Sequence, residues 1–328
     1  IFIFLPIYFK KLLKTATFSK CIFKISNRGA TLRKNHVLHD LHLAFIGAGA
    51  MGEAMIDGLL SRHQLEPGHI TASDRRRGRL REVQNKFHIH TTQDNRTAAK
   101  KGQVVVLAVK PQVLPSVFDD LRGKIRKDAL VLSIVAGATI DSLAAGLQHR
   151  AIVRTMPNTP AQVGEGMTVW TATPEVSDSQ RKQARAVVEA LGHQLYVDDE
   201  RFLDVSTAIS GSGPSYVFLL MEALIDAAVH LGLSRADSRE LVVQTIRGSA
   251  IFAQRSQLHP AEMRNMVTSP GGTSADALYQ LEKGSFRTVV SKAVLAAYQR
   301  SVELGRLNAE LLEKNQHPAK PRNKNRKS

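Results

Sequence analysis

One cysteine in 328 residues, Cys21, excludes an intrachain disulfide and any zinc site built from several thiolates, and it suits a reducing compartment. Acidic residues are missing from positions 1–39, where Lys, Arg, Ser and Thr abound. That bias is the composition of an organelle transit peptide, and a stretch ahead of the true start would read the same way. Residues 1–40 are therefore set aside as a basic presequence or spurious extension without order. Long hydrophobic runs are missing too. The opening IFIFLPIYF is nine residues long and contains Pro6, about half of what a spanning helix needs, and no other stretch is expected to cross a membrane. No metal-ligand spacing and no nucleophile elbow is present, so no metal is expected.

The formal charge of +16 suggests a nucleic-acid binder until it is divided along the chain. Residues 1–40 hold +7 and residues 314–328 hold +6, which leaves +3 for the 273 residues between them. A chain that reads phosphate backbones carries its basic residues on a folded face, so charge confined to the ends argues against nucleic acid as a partner. The basic tail 314–328 reads as disordered.

What is present centres on HLAFIGAGAMGEAMIDGLL, residues 42–60. Leu43 to Ile46 read as a buried strand, Gly47, Gly49 and Gly52 stand at GxGxxG spacing, and Ala54, Met55, Leu59 and Leu60 follow at helical spacing. A dinucleotide pyrophosphate binds where a strand feeds a helix N-terminus, because free N–H groups and the positive end of the helix dipole converge there. Gly47, Ala48, Gly49, Ala50, Met51 and Gly52 are the residues expected at the pyrophosphate. A glycine-rich turn without a ligand is the bland alternative, and the flanking strand and helix argue against it.

HITASD (69–74) reads as a second strand ending at the adenosine ribose. Asp74 would suit NADH, whereas Ser73 followed by Arg75, Arg76, Arg77, Arg79 and Arg81 would draw a 2′-phosphate. NADPH is the preferred cofactor, with NADH left open, and a solvated basic helix face is the competing explanation of the arginines. QVVVLAVKP (103–111), ALVLSIVAG (129–137) and AIVRTMPNTP (151–160) are β-branched runs typical of parallel strands buried on both faces. Ala108, Val109, Lys110 and Pro111, at the carboxyl end of the first, should line the cofactor crevice. Asn158, held between Pro157 and Pro160, is a candidate to orient the nicotinamide amide; an ordinary Asx turn is the alternative. With helices expected over 113–122, 140–147 and 178–191, residues 41–200 read as an α/β, Rossmann-type doubly wound domain.

From residue 201 the strand runs stop, and 201–313 read as an all-α domain. A small-residue loop, Ser210 to Ser215, is expected to lead into a helix apolar nearly all round (Val217, Phe218, Leu220, Met221, Leu224, Ile225, Ala228), the pattern of a helix covered on most sides, often by a second subunit. Further helices are expected over 235–254, capped by Ser234 with Asp237, from Pro260, and over 286–304. Between them Thr268, Ser269, Pro270, Gly271, Gly272, Thr273 and Ser274 precede a helix near Ala275, a concentration of amides and hydroxyls suited to a carboxylate. Since no strong acid or base is placed by any motif, the chemistry that fits is hydride transfer to an already activated acceptor such as an imine.

The segments FIGAGAMGEAMIDGLL, LAVKPQ, VRTMPNTPAQVGEGM, SGSGPSY and above all VTSPGGTSADALYQLEKGSFR, in this order over residues 41 to about 310, resemble the pyrroline-5-carboxylate reductases. The resemblance implies reduction of 1-pyrroline-5-carboxylate to L-proline by NAD(P)H, the last step of proline biosynthesis, in the cytoplasm unless residues 1–39 address an organelle. It implies that the 268–274 segment holds the substrate carboxylate through amides around Gly272 and Thr273. It also implies that Ser274, where many members have Thr, supplies the hydroxyl that bonds the ring nitrogen. It further implies a homodimer formed through the all-α domain, commonly assembled into a decamer. One rival is a β-hydroxyacid reductase of similar architecture, which would need a Lys on the helix Tyr216 to Ala228, where there is none. The other is a nucleotide sensor or nucleic-acid binder working through the basic ends.

Overall fold

In the computed structural model the described residues are 37–316, so the expectations for residues 1–36, Cys21 among them, and for 317–328 lie outside them. β1 (Leu43–Ile46) feeds α1 (Ala50–Ser61). There follow β2 (Ile70–Ser73), α2 (Arg77–Phe87), β3 (His90–Thr92), α3 (Asn95–Lys101), β4 (Val104–Leu107), α4 (Leu114–Leu121), β5 (Leu130–Ser133), α5 (Ile140–Leu147), β6 (Ile152–Met156), β7 (Gly166–Ala172), α6 (Asp178–Glu189) and β8 (Gly192–Tyr196). They form one sheet in the order β3-β2-β1-β4-β5-β6-β7-β8, in which only the β6/β7 pair is antiparallel.

The near-continuous apolar character of the central strands follows from burial on both faces. Leu43, Phe45, Val104, Val106, Leu130 and Leu132 enter one core, while Ala44, Ile46, Val105, Leu107 and Val131 enter the other. Leu38 is fully buried in the first of these cores, so the expected extension does not reach residue 40; the folded chain already includes the turn before β1. β3, β7 and β8 add to the strands read from sequence. They lie toward the sheet's edges, and β3 (His-Thr-Thr) and β8 (Gly-His-Gln-Leu-Tyr) carry no buried residue, which removes the apolar signal.

The remainder is helical: α7 (Arg201–Ser206), a π-helical turn (Thr207–Gly211), α8 (Gly213–His230), α9 (Arg235–Arg255), α10 (Pro260–Met266), α11 (Thr273–Lys283) and α12 (Phe286–Gln316). Ser210 to Ser215 is therefore not a loop. Its small residues let the backbone continue from α7 through the π turn into α8, and the Ser210 hydroxyl donates to the Ser206 carbonyl at 3.0 Å. The last helix continues well past 304, so Lys314 to Gln316 are helical and not disordered. Ser234 caps α9 as expected, accepting from the Asp237 amide at 3.0 Å.

No residue of α8 is buried within the single chain; Phe218 is 57% and Leu219 67% exposed. The continuous helix 201–230 is also long and apolar enough to cross a membrane by length and composition, which corrects the expectation that no such stretch exists. Hydropathy summed over a window cannot separate a lipid-facing helix from one whose faces meet protein.

Where the sheet meets the helices, Arg154 on β6 is buried. Its Nη1 lies 2.6 Å from Glu200 Oε1 and its Nη2 3.7 Å from Asp204 Oδ1. Glu200 accepts the Ile140 amide at 2.8 Å, and Asp204 accepts the Ser301 hydroxyl at 2.8 Å, so one guanidinium joins β6 to α5, α7 and α12.

Candidate active site

A crevice of about 710 Å³ opens beyond the carboxyl ends of β1, β2 and β4, at the point where the strand order reverses. Its floor is the turn after β1. Gly47 has φ +102°, and a Cβ there would lie 2.5 Å from the Ala108 carbonyl oxygen, so only glycine lets β1 and β4 end side by side. A Cβ on Gly52 would stand 2.7 Å from the Gly47 carbonyl oxygen, which fixes how closely α1 docks on the turn. Gly49 faces open space, and α1 has no capping side chain, so its first-turn amides are left for an incoming anion. These features fit a dinucleotide pyrophosphate. Ala48, Ala50, Met51 and Gly52 surround the turn, Ala48 being fully buried beneath it.

At the end of β2, Asp74 accepts from the Ala48 amide at 3.2 Å and from Arg76 Nε and Nη2 at 3.1 and 3.2 Å. Burial works to raise its carboxyl, but the Arg76 side chain and the Arg76 and Ala48 amides outweigh it and hold it below the usual carboxylate range. Arg75 and Arg76 both line the crevice. The other arginines of the run do not. Arg77 donates to Gln93 Oε1 at 2.6 Å, and Arg79 turns inward onto the Ala48 carbonyl, Glu53 and Glu82. Hydrogen bonds from Lys86 and then Arg79 hold Glu53 below the usual carboxylate range, so this cluster ties α2 to α1.

Ala108, Val109 and Lys110 form the wall after β4, and Pro111 starts the 3₁₀ turn behind them. Two expected residues are also tied to neighbours. Ser73 lines the crevice as expected, and its hydroxyl donates to Asn95 Oδ1 at 2.7 Å. Both ends of the Asn158 amide are engaged internally, Nδ2 donating to the Ser210 carbonyl at 3.0 Å and Oδ1 accepting from the Met167 amide at 2.9 Å. Asn158 thus fastens β6 to β7 and the π turn, with one N–H and one oxygen lone pair of its half-buried amide still open. Asn95, held from its other side by Asp120, and Gln93 line the crevice and were missed in the sequence. They follow β3, too short and polar to be read as a strand, so nothing marked the position as a strand's carboxyl end.

The 268–274 segment lies apart from this crevice, none of its residues lining it. Gly271 carries the positive φ of the turn, +69°, and α11 begins at Thr273, two residues earlier than the sequence suggested, with Gly272 as its cap residue. No side chain caps α11, so the first-turn amides of Thr273 and Ser274 share an open N-terminus with the Ser274 hydroxyl. Thr268 is tied down by its hydroxyl to the Arg264 carbonyl at 2.7 Å, while Ser269 stays exposed. No group of metal-ligating side chains occurs among the described residues.

The family model "Pyrroline-5-carboxylate reductase dimerisation" matches residues 200–304, and "NADP oxidoreductase coenzyme F420-dependent" matches residues 42–137. A pyrroline-5-carboxylate reductase of Synechocystis is 40% identical over 81% of this chain and 99% of its own length. Among solved structures, the pyrroline-5-carboxylate reductase of Coxiella burnetii is similar at 37% identity with a TM-score of 0.76, covering 80% of this chain and 98% of that one. The pyrroline carboxylate reductase of Plasmodium falciparum, solved with NADP bound, is similar at 32% identity with a TM-score of 0.74, covering 81% and 99%. With relatives this similar covering nearly their whole length, the chain belongs to the pyrroline-5-carboxylate reductase family.

Proposed function

We infer that the chain reduces 1-pyrroline-5-carboxylate to L-proline, the last step of proline biosynthesis, using NADPH, with NADH the lesser cofactor. The observation that carries this is the built crevice: a glycine turn closed against β4, at the head of an uncapped helix, with Arg75 and Arg76 at its mouth. The amides from Gly49 to Gly52 would hold the pyrophosphate, those of Gly47 and Ala48 being taken by the Ser73 carbonyl and Asp74, and Arg75 would meet the 2′-phosphate. Ala108 to Pro111 would support the nicotinamide end, which supplies hydride to the imine carbon when bound.

The substrate's carboxylate would sit on the α11 N-terminus, against the amides around Gly272 and Thr273, with Thr268, Ser269 and Gly271 shaping the turn. Ser274 Oγ would bond the ring nitrogen and keep the imine protonated and aligned, so that orientation carries the rate. The apolar faces of α7 and α8 are assigned to a homodimer, assembled further into a decamer in the cytoplasm, and residues 41–200 and 201–313 to cofactor and substrate respectively. The test is direct: purified protein, pyrroline-5-carboxylate and either cofactor, followed by nicotinamide absorbance and by proline formed. Stoichiometric proline is expected, and a protein without turnover on either cofactor would refute the reading.

A further inference from the structure

The end of β2 sets one carboxylate against two guanidinium groups, and we propose that Asp74 keeps the preference for NADPH over NADH small, by sequestering Arg76 and leaving Arg75 alone to read the 2′-phosphate. The proposal rests on the NADPH reading given above. Asp74 grips Arg76 side-on through both oxygens and also takes the Arg76 amide at 3.0 Å. The side chain of Asp74 is only 12% exposed, whereas that of Arg76 is 66% exposed. The pair is therefore neutral as a unit, and a phosphate beside it feels a dipole in place of a free cation.

Arg75 differs. It lines the crevice, Gln93 Nε2 pins its carbonyl at 2.9 Å, and its guanidinium has no hydrogen-bond or ion-pair partner among the described residues. A carboxylate offers about four acceptor positions, and the Ala48 amide together with three donors of Arg76 already fills them. A ribose 2′-hydroxyl therefore finds no open acceptor on Asp74 while Arg76 is held. Arg75 favours the phosphate and Asp74 withholds Arg76 from it, so the preference rests on one cation.

Equilibrium binding of NADPH and NADH to the full chain, read by calorimetry, tests this with three variants. Asp74→Asn retains an oxygen for the Ala48 amide, so the glycine turn keeps its anchor while Arg76 is released. It should tighten NADPH roughly fivefold and leave NADH within about twofold. Arg75→Ala should weaken NADPH by roughly tenfold or more and NADH by less than about threefold, whereas Asp74→Asn/Arg76→Ala, which removes both charges of the neutral pair, should change NADPH by less than about threefold. Arg75 is exposed, so its variant stands even if Asp74→Asn folds poorly. Weaker NADPH binding in Asp74→Asn, or a loss in Asp74→Asn/Arg76→Ala equal to that in Arg75→Ala, would overturn the proposal while leaving the NADPH reading intact. Equal losses of both cofactors in Arg75→Ala would overturn both.

Discussion

Replacing Arg154 with Met asks whether the seam between sheet and helices is held by charge. The Arg154 side chain is 6% exposed and faces two carboxylates, Glu200 and Asp204, so its removal leaves like charges together in a partly dry seam. Breaking a fully buried pair by deleting one partner costs about 3–5 kcal/mol. Here Glu200 and Asp204 are 29% and 21% exposed and keep their bonds to the Ile140 amide and the Ser301 hydroxyl. Water can return to them, so about 2–4 kcal/mol is expected. Urea unfolding at matched protein concentration measures it, since the stability of an oligomer depends on that concentration. Adding Glu200→Gln and Asp204→Asn to Arg154→Met should recover most of the loss, because it removes the stranded charges. A loss below about 0.5 kcal/mol, or a triple variant no more stable than the single one, would refute the reasoning.

Ser274→Ala should lower turnover by roughly ten- to a thousandfold with NADPH affinity nearly unchanged, and Ser274→Thr should be close to neutral; a fully active Ala variant would move proton delivery to water. Leu220→Asp should abolish assembly in light scattering and melt the helical half in circular dichroism while the sheet half stays folded, because an unpaired charge would enter the interface assigned to α8. His42 is held below its ordinary value of 6.5 by burial first, then by Lys101, His90 and His69. The unfolded chain therefore binds the extra proton at higher pH than the fold does. Stability should fall as pH drops from 6.5 toward the lowered value, and His42→Gln should flatten that slope in thermal melts across the window.

The sheet was legible where physics wrote it twice, once as an apolar run and once as a turn. β1, β2, β4, β5 and β6 are buried on both faces, so their residues had no other use, and Gly47 and Gly52 are dictated by backbone contacts that admit no Cβ. Asn158 and Ser73 stand at strand ends as expected, but their partners Ser210, Met167 and Asn95 were not legible, because a sequence shows where a polar side chain stands and not which neighbours it meets. The arginine run was over-read for the same reason. Five arginines in seven residues look like one basic surface, yet Arg77 is taken by Gln93 and Arg79 by Glu53, residues distant in sequence, and by Glu82 one turn on. Ser210 to Ser215 misled because small residues signal loops by frequency, and here they serve a π turn that needs a close backbone.

The two halves of the chain differ in how they are stabilised, and that difference bears on catalysis. The sheet closes two cores by itself, whereas α8, α10 and α11 bury no residue within one chain. A helix with no buried side chain gains little from its own chain, since most helical stability comes from packing an apolar face. The helical region, including the turn that presents Ser274, must therefore draw its rigidity from whatever covers Phe218, Leu219 and their neighbours. A substrate-positioning hydroxyl must be held to a fraction of an ångström for orientation to carry the rate. On the role of Ser274 proposed above, assembly is expected to condition turnover as well as stability: dinucleotide binding to the crevice should survive dissociation into single chains, whereas turnover should be lost with it.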